Sequence, residues 1–326
     1  MGLGRMLRPA ASARGLEVSL EASLPAPEAA PLIEDYQARL ARNGALDVRG
    51  DLRALFESPA HAKVVSRSPS GAVEGAAVLT SEAHASDIAF LHVMPRHASD
   101  AATAALLDAA LAALPAGTTK VRAQVTSAGR WLHLPPARGR ALLAAQGFLP
   151  LARALMLRDL TKGLPAPPPV PAGYTVVPPD PSRSDEWSRF ALEAYRGTTD
   201  FAVITLEESE AAYRRLYARF LGGEFGPYAR GMSFAAVPEG GAGPAAVLHT
   251  VFVGPDPYVG DLSVHPAHRR RGLGRALLLR ALSAYAAAGA KRAGLTATEQ
   301  NRPAYALYRS VGFQVARSSE VFIKYL

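Results

Sequence analysis

The stretch HPAHRRRGLGRALLLRAL, residues 265–282, joins three consecutive arginines to two glycines and then continues as an apolar helix. The first N–H groups of a helix have no partner inside it, and the helix dipole makes that end electropositive. Glycine lets an anion approach the backbone, and arginine offers paired donors to phosphate oxygens. Because a purely structural helix start would favour Asp, Ser or Thr, residues 269–275 are interpreted as an anion site.

Two common phosphate-binding motifs fit this segment poorly. GLGRAL has the first two glycines of a dinucleotide fingerprint but lacks the third, and HPAHRRR intervenes where that fold needs a tight turn. A P-loop would require Gly-Lys followed by Ser or Thr, which is absent here.

Short strands alternate with helices through the second half of the chain, which indicates an α/β fold with a mixed α+β sheet flanked by helices. Strands are predicted at 174–177, 232–237, 245–253, 258–264, 292–298 and 320–326, and helices at 185–195, 206–221, 274–288 and 303–311. The proline-rich TKGLPAPPPVPAG at 161–173 predicts a stiff linker. We expect one domain over 1–160 and another over 174–326.

The first half of the chain repeats the pattern of the second half. LHVMPRHASDAATAALLDAAL at 91–111 aligns with LSVHPAHRRRGLGRALLLRAL at 262–282, and RALLAAQGF at 140–148 aligns with YALYRSVGF at 305–313. The first copy has ASDAAT where the second has RRRGLG, and Leu143 where the second has Tyr308. The sequence therefore predicts a duplicated scaffold whose first copy lacks the special residues.

The composition narrows the classes of function. The net charge of +8 raises nucleic acid as a partner, but it is divided evenly between 1–172 and 173–326, which disfavours that class. No apolar run approaches the roughly 20 residues that span a membrane, and Arg5, Arg8 and Arg14 do not form an export signal. Cysteine is absent, which excludes disulfides and thiolate sites and fits a cytoplasmic location. No residue spacing suggests a metal site.

Taken together, VGDLSVHPAHRRRGLGRALL and the later NRPAYALYRSVGF resemble the GNAT superfamily of N-acetyltransferases. Arg269, Gly272 and Gly274 meet that superfamily's signature. The resemblance is strong over 174–326 and fainter over 39–160, and it implies two tandem GNAT-like domains with a degenerate first copy.

The resemblance implies that acetyl-CoA is the cosubstrate, without a metal, and that a small primary amine is the acceptor. The fourth and fifth strands of the fold should diverge to admit the pantetheine arm, and the Val264 N–H should stabilise the oxyanion. Tyr308 would be the general acid on the leaving thiolate, because a phenol pKa of about 10 lies near a thiol pKa of about 8.5. The residues implied to bind acetyl-CoA are Leu262, Ser263, Val264, Arg269, Arg270, Arg271, Gly272, Leu273, Gly274, Arg275 and Asn301.

The general base and the acceptor pocket are less well defined by the sequence. Asp261, Glu299 and a chain of waters are all candidates for the base. Aromatic and acidic residues between 195 and 228 are expected near the acceptor: Tyr195, Asp200, Phe201, Tyr213, Tyr217, Phe225 and Tyr228. A non-catalytic acyl-CoA-binding or regulatory protein is the alternative function, and the sequence does not define the oligomeric state.

Overall fold

The computed structural model describes residues 16–41, 47–125, 136–241 and 243–326. The chain forms two compact units, one of residues up to Leu151 together with Ser319–Leu326, and a second of Ala152–Ser318. The arginines considered for an export signal lie outside the described residues. No helix within the described ranges is long and apolar enough to cross a membrane.

The first unit is a mixed sheet with helices packed against it. Its strands are β1 (Glu17–Glu21), β2 (Ala62–Arg67), β3 (Val73–Glu82), β4 (Ala85–Val93), β5 (Lys120–Val125) and the end of β12 (Gln314–Tyr325), and its helices are α1 (Ala26–Ala41), α2 (Arg49–Glu57), α3 (Asp100–Ala112) and α4 (Pro136–Ala145). Strands β1 to β4 pair antiparallel in sequence order, β4 pairs parallel with β5, and β5 pairs antiparallel with β12.

The second unit has the same layered design. Its strands are β6 (Leu149–Asp159), β7 (Tyr174–Val177), β8 (Phe234–Pro238), β9 (Ala246–Val253), β10 (Asp256–Val264) and β11 (Arg292–Thr298), and its helices are α5 (Ser184–Tyr195), α6 (Phe201–Ile204), α7 (Glu210–Leu221), α8 (Leu273–Ala287) and α9 (Arg302–Ser310). The strand order is β7-β8-β9-β10-β11-β6, and the β10–β11 pair is parallel.

Helix α8 is the centre of the second core, as its sequence predicts. Leu277, Leu278 and Leu282 are fully buried, together with Val259 and Leu295 of the sheet. Burying a leucine side chain stabilises the fold by roughly 1.5–3 kcal/mol, so this helix holds the sheet behind the Arg/Gly turn in place.

The predicted α/β architecture is confirmed, with small differences at element ends. Strand β11 has the predicted bounds, whereas α7 begins four residues later than predicted. The Ser209 hydroxyl accepts a hydrogen bond from the Ala212 N–H at 3.2 Å and so caps the helix there.

The internal repeat is present in the structure. An offset of 171 residues relates both ends of β4 to both ends of β10, and each strand is followed by a helix, a parallel strand and a second helix. The first copy thus preserves the scaffold of the second.

The unit boundaries differ from the domain boundaries expected from the linker. The divisions fall inside β6 and inside β12. The end of β6 belongs to the second unit because residues 153–159 pair with β11, and the end of β12 belongs to the first unit because residues 320–325 pair with β5. These pairings join distant stretches of chain, so no local composition shift marks them.

Candidate active site

Strands β10 and β11 separate soon after they begin to pair. Their parallel ladder joins Tyr258 with Gly294 and Val259 with Leu295, and a register shift at Gly260 follows in β10. A bulge of this kind bends a strand and re-aims its side chains. A Cβ at Gly260 would lie 2.3 Å from the Phe220 ring, so only glycine fits at this bend. Beyond it, one edge of β10 has no ladder partner among the described residues.

The open edge of β10 presents backbone donors. The His265 N–H donates to Ala245 O in the chain beside β9 at 2.9 Å. Successive N–H groups of an extended strand point to opposite sides, so the Val264 and Leu262 N–H groups point towards the open side. These are the backbone positions predicted from the resemblance to hold the thioester arm.

The turn that follows β10 leads into α8 without a side-chain cap. Arg270 and Gly272 have φ of 64° and 83°, and a Cβ at Gly272 would meet open space. No side chain caps this helix, and the N–H groups of residues 270–275 have no acceptor among the described residues. Successive unpaired N–H groups at a helix N-terminus form a suitable cradle for phosphate oxygens.

The arginines of the turn have different hydrogen-bond partners. The Arg269 guanidinium donates to Ala194 O at 2.6 Å and to Val264 O at 3.3 Å, so it braces the turn against α5. Arg275 donates to the Ser310 hydroxyl at 2.8 Å. Arg270 and Arg271 are exposed, and their side chains are the ones available to a solvent-facing anion. Anion contact by these residues stays a prediction.

The matching helix of the first unit starts in a different way. The Ser99 hydroxyl accepts from the Ala102 N–H at 3.1 Å, and the Thr103 hydroxyl donates to Ser99 O at 2.9 Å. Asp100 lies in the first turn of α3, where a negative charge suits the dipole. Self-capping therefore occupies the end of α3 that corresponds to the open end of α8.

Ser99→Ala should lower the free energy of unfolding by about 1 kcal/mol, because it leaves the Ala102 N–H without its cap. Denaturant unfolding measures this change, and acetyl-CoA affinity measured on the same variant should not change. A loss of acetyl-CoA affinity would contradict the structural role assigned to this cap.

A cavity of about 650 Å³ lies beside the diverging strands, within the second unit. Its lining is mainly apolar, and its charged members are Arg153, Asp200 and Asp261. Five of the seven side chains that the sequence placed near the acceptor are in the lining: Tyr195, Asp200, Tyr213, Tyr217 and Phe225. Phe201 and Tyr228 are not; Phe201 stacks on Tyr213, and Tyr228 packs against Phe220.

Asp261 projects from β10 directly after the bend at Gly260. The hydroxyls of Tyr195 and Tyr217 each donate to its carboxylate at 2.5 Å, and the Ser263 hydroxyl donates to both oxygens at 2.8 and 2.9 Å. Burial, together with the charge of Asp261, raises the pKa of Tyr195 and of Tyr217 well above the ordinary phenol value. Both phenols therefore remain donors at every working pH.

Asp200 is the centre of a second polar group in the lining. It accepts from Arg153 at 3.0 Å, from the Thr298 hydroxyl and from the Asn301 amide at 2.5 Å. Arg153 comes from β6 and was missed by the sequence analysis, because nothing local distinguishes it from the other scattered arginines. The Asn301 Oδ1 accepts from the Ala304 N–H, so both ends of this amide are bonded within the protein. The amide keeps a second N–H and a second oxygen lone pair, so the predicted contact of Asn301 with pantetheine needs neither bond to break and stays a prediction.

Tyr308 lies on α9 and lines the same cavity. Its side chain is buried, and no described residue forms a hydrogen bond with its hydroxyl. Burial raises the pKa of this phenol above its ordinary value, and the charges of Asp200 and Asp261 raise it further. Tyr308 is therefore a neutral O–H donor facing a cavity.

Glu299, His249 and His268 lie outside the cavity lining. Glu299 follows β11 and is not among the lining residues, which places Asp261 closer to an acceptor than Glu299. His249 is fully buried, its Nδ1 lies 3.0 Å from the Tyr228 hydroxyl, and burial lowers its pKa to about 4. His268 Nδ1 lies 2.8 Å from the Tyr174 hydroxyl. Within the described ranges, no three His, Asp or Glu side chains are grouped so that they could hold a metal.

The match to a known family falls on this site. Residues 203–313 match the model of the acetyltransferase (GNAT) family, and they include β10, the Arg/Gly turn and Tyr308. Residues 203–313 are therefore similar to the GNAT family.

Individual similar proteins cover more of the chain than the family model does. The mycothiol acetyltransferase of Thermobispora bispora is 32% identical over 194 residues, which are 56% of this chain and 61% of that protein. The GCN5-related N-acetyltransferase of Sphaerobacter thermophilus is similar in structure, with a TM-score of 0.60, 18% identity and coverage of 94% of this chain and 95% of that one. A tandem GNAT protein from the clavulanic acid biosynthesis pathway gives a TM-score of 0.55, 22% identity and coverage of 95% and 98%. The chain therefore has the tandem GNAT fold, and it spans about three fifths of the length of the mycothiol acetyltransferase.

Proposed function

We propose that the chain is an acyl-CoA-dependent N-acetyltransferase that moves an acetyl group from acetyl-CoA to a primary amine. One observation carries this proposal. The second unit contains the open edge of β10, the uncapped start of α8 and a cavity that Tyr308 lines. The GNAT family match and a relative named as an acetyltransferase support acyl transfer as the chemistry.

The proposed seat for acetyl-CoA uses backbone groups. The pyrophosphate would accept hydrogen bonds from the N–H groups of residues 271–275, whose first positions are open around Gly272. The pantetheine amides would pair with the open edge of β10 at Leu262, Ser263 and Val264, as an added strand would. Arg270 and Arg271 supply positive charge, while Arg269 keeps the turn in place through Ala194 and Val264.

The proposed reaction is a direct attack. The neutral amine nitrogen forms a bond to the thioester carbonyl carbon, and the Val264 N–H stabilises the oxygen that gains negative charge. The C–S bond then breaks, and the thiolate receives a proton from the Tyr308 hydroxyl. The nitrogen gives its extra proton to water and the Tyr308 phenolate takes a proton back from water, so the products are the acetylated amine and free coenzyme A.

Proton removal from the amine is assigned to Asp261 or to water held near it. A primary ammonium has a pKa near that of lysine, about 10.4, so it must lose a proton before it can attack. Asp261 lines the cavity and Glu299 does not, which favours Asp261 between the two carboxylates. Because three hydroxyls already donate to Asp261, an intervening water is the other route that this geometry supports.

We propose that the first unit has no acetyl-CoA site of its own. The matching helix is capped by Ser99, and Leu143 occupies the position that corresponds to Tyr308. A non-catalytic acyl-CoA-binding protein is the second candidate, since the cradle alone would suffice for binding. The unbonded Tyr308 hydroxyl in the cavity favours the enzyme.

Calorimetry with acetyl-CoA should give one site per chain, and a panel of primary amines should then release coenzyme A thiol. A thiol reagent suits this assay because the chain contains no cysteine. Two equal sites would refute the degenerate first copy, and binding without thiol release from any amine would favour the non-catalytic candidate. Tight, salt-dependent DNA binding without acetyl-CoA binding would overturn both.

A further inference from the structure

The carboxylate of Asp261 has an unusual set of partners. Its three hydrogen-bond donors are the neutral hydroxyls of Tyr195, Tyr217 and Ser263. Three donors aimed at one carboxyl group require it to accept on both oxygens, which is the bonding pattern of a carboxylate. His249, its cross-strand neighbour on β9, is a neutral ring, because burial lowers the pKa of His249 to about 4.

The charges of the cavity do not balance. Among the described residues of the lining, Arg153 is the one cation, and it is bonded to Asp200. Asp200 and Arg153 therefore neutralise each other, and the negative charge of Asp261 is left over. Asp261 is partly buried, and removing a charge from water without a counter-ion costs free energy, so a cation that enters with the ligand lowers that cost.

The rest of the cavity offers little to a polar ligand. Side chains from α6, α7, β6, β9 and β11 form an apolar wall: Val203, Ile204, Leu216, Leu155, Val251 and Leu295. Several lining hydroxyls are already bonded, since Tyr195 and Tyr217 donate to Asp261 and Tyr258 bonds to Thr296. The hydroxyl groups of a polyhydroxylated ligand would be buried here with few partners, at a cost of about 1–3 kcal/mol for each unpaired group.

We infer that the acceptor is a hydrophobic primary amine, alkyl or arylalkyl, whose ammonium group binds Asp261 and whose apolar body fills the cavity. This inference rests on the proposed function and adds the class of substrate to it. Asp261 lies directly before Leu262 on β10, so an amine held there is beside the strand that holds the thioester. Asp261 contacts the ammonium group directly, and loss of the ammonium proton at this contact leaves the nitrogen ready to attack.

Calorimetry on the full chain saturated with coenzyme A tests the inference without turnover. The probes are 2-phenylethylamine, its neutral counterpart 2-phenylethanol, and glucosamine as a polyhydroxylated amine. We expect 2-phenylethylamine to bind at least about tenfold more tightly than either of the others, the ratio that one charge-assisted hydrogen bond supplies. Equal affinity for the alcohol, or tighter binding of glucosamine, would overturn the inference.

Two matched variants locate the effect. Asp261→Asn should reduce the preference for the amine over the alcohol to within about twofold, with coenzyme A still bound as proof of folding. Asp256→Asn, on the same strand but paired with Arg292 outside the cavity, should keep the full preference. If Asp261→Asn does not fold, the comparison of the three probes on the unaltered protein still decides.

Acetyl transfer is measured separately, so the two proposals can fail independently. Binding of 2-phenylethylamine without acetyl transfer would refute the enzyme and leave the amine site intact. Efficient acetylation of glucosamine with no effect of 2-phenylethylamine would confirm the enzyme and refute the hydrophobic substrate.

Discussion

Tyr308→Phe is expected to lower kcat by about 10²–10⁴-fold, the range typical of a lost general acid, while acetyl-CoA affinity stays within about twofold. The substitution removes an oxygen whose hydroxyl has no bonding partner among the described residues, so the packing of the ring against Phe313 is retained. Steady-state kinetics with the best amine of the panel and calorimetry with acetyl-CoA measure the two quantities.

The pH profile gives a second test of Tyr308. A general acid acts only while it is protonated, and burial raises the pKa of Tyr308 above its ordinary value of about 10. The proton is therefore held through the alkaline range, and kcat should show no decline up to about pH 10. A decline centred on a lower pH would assign the acid to another group.

Tyr305→Phe is the matched control for this position. Tyr305 lies on the same helix, is half-buried and is outside the cavity lining. It should keep kcat within about twofold. An equal loss in both variants would indicate damage to α9 rather than loss of an acid.

Gly274→Val is expected to weaken acetyl-CoA binding by about 10- to 100-fold, which corresponds to the usual 1–3 kcal/mol cost of overfilling a packed site. A Cβ at Gly274 would lie 3.5 Å from Val264 and 3.6 Å from Leu307, between the end of β10 and α9. The branches of valine would then crowd the gap that the pantetheine arm must enter. Calorimetry with acetyl-CoA measures the loss.

Gly272 and Gly274 differ in backbone conformation, so a valine would act differently at each. Gly272 has φ of 83°, so valine there would strain the turn as well as block it, whereas Gly274 is an ordinary helical position. Gly274→Ala makes only normal contacts and should bind nearly as well as glycine. Thr103→Val, at the corresponding position of α3, should leave acetyl-CoA affinity unchanged. Equal affinity for Gly274→Val would count against the arm passing this gap.

Local pattern predicted the elements of the second unit well. The stretch RAGLTAT was predicted as a strand with the bounds of β11, and the apolar face of α8 together with the glycines before it indicated both a helix and an open N-terminus. The cap at Ser99 was equally readable, because Ser followed by Asp is a typical helix start. These features depend on neighbours within a few residues.

The surroundings of the site could not be predicted in the same way. The partners of Asp261 come from α5 and α7, 66 and 44 residues away, and Arg153 reaches Asp200 from β6. The bond from the Asn301 amide to Asp200 was likewise not predicted, and contact of Asn301 with the cosubstrate stays a prediction. Side-chain contacts between distant elements depend on how the sheet is assembled, which no spacing in the sequence encodes.

The end of β12 completes the first unit and the end of β6 completes the second, which has a consequence for biosynthesis. The sheet of the first unit lacks an edge until residues 320–325, which are translated after its other strands, pair with β5. The second unit likewise takes its edge from residues 153–159, which are translated before the proline-rich linker. Cleavage of the chain at that linker would deprive both halves of a strand, so a gene cut there would not yield two independently folding proteins.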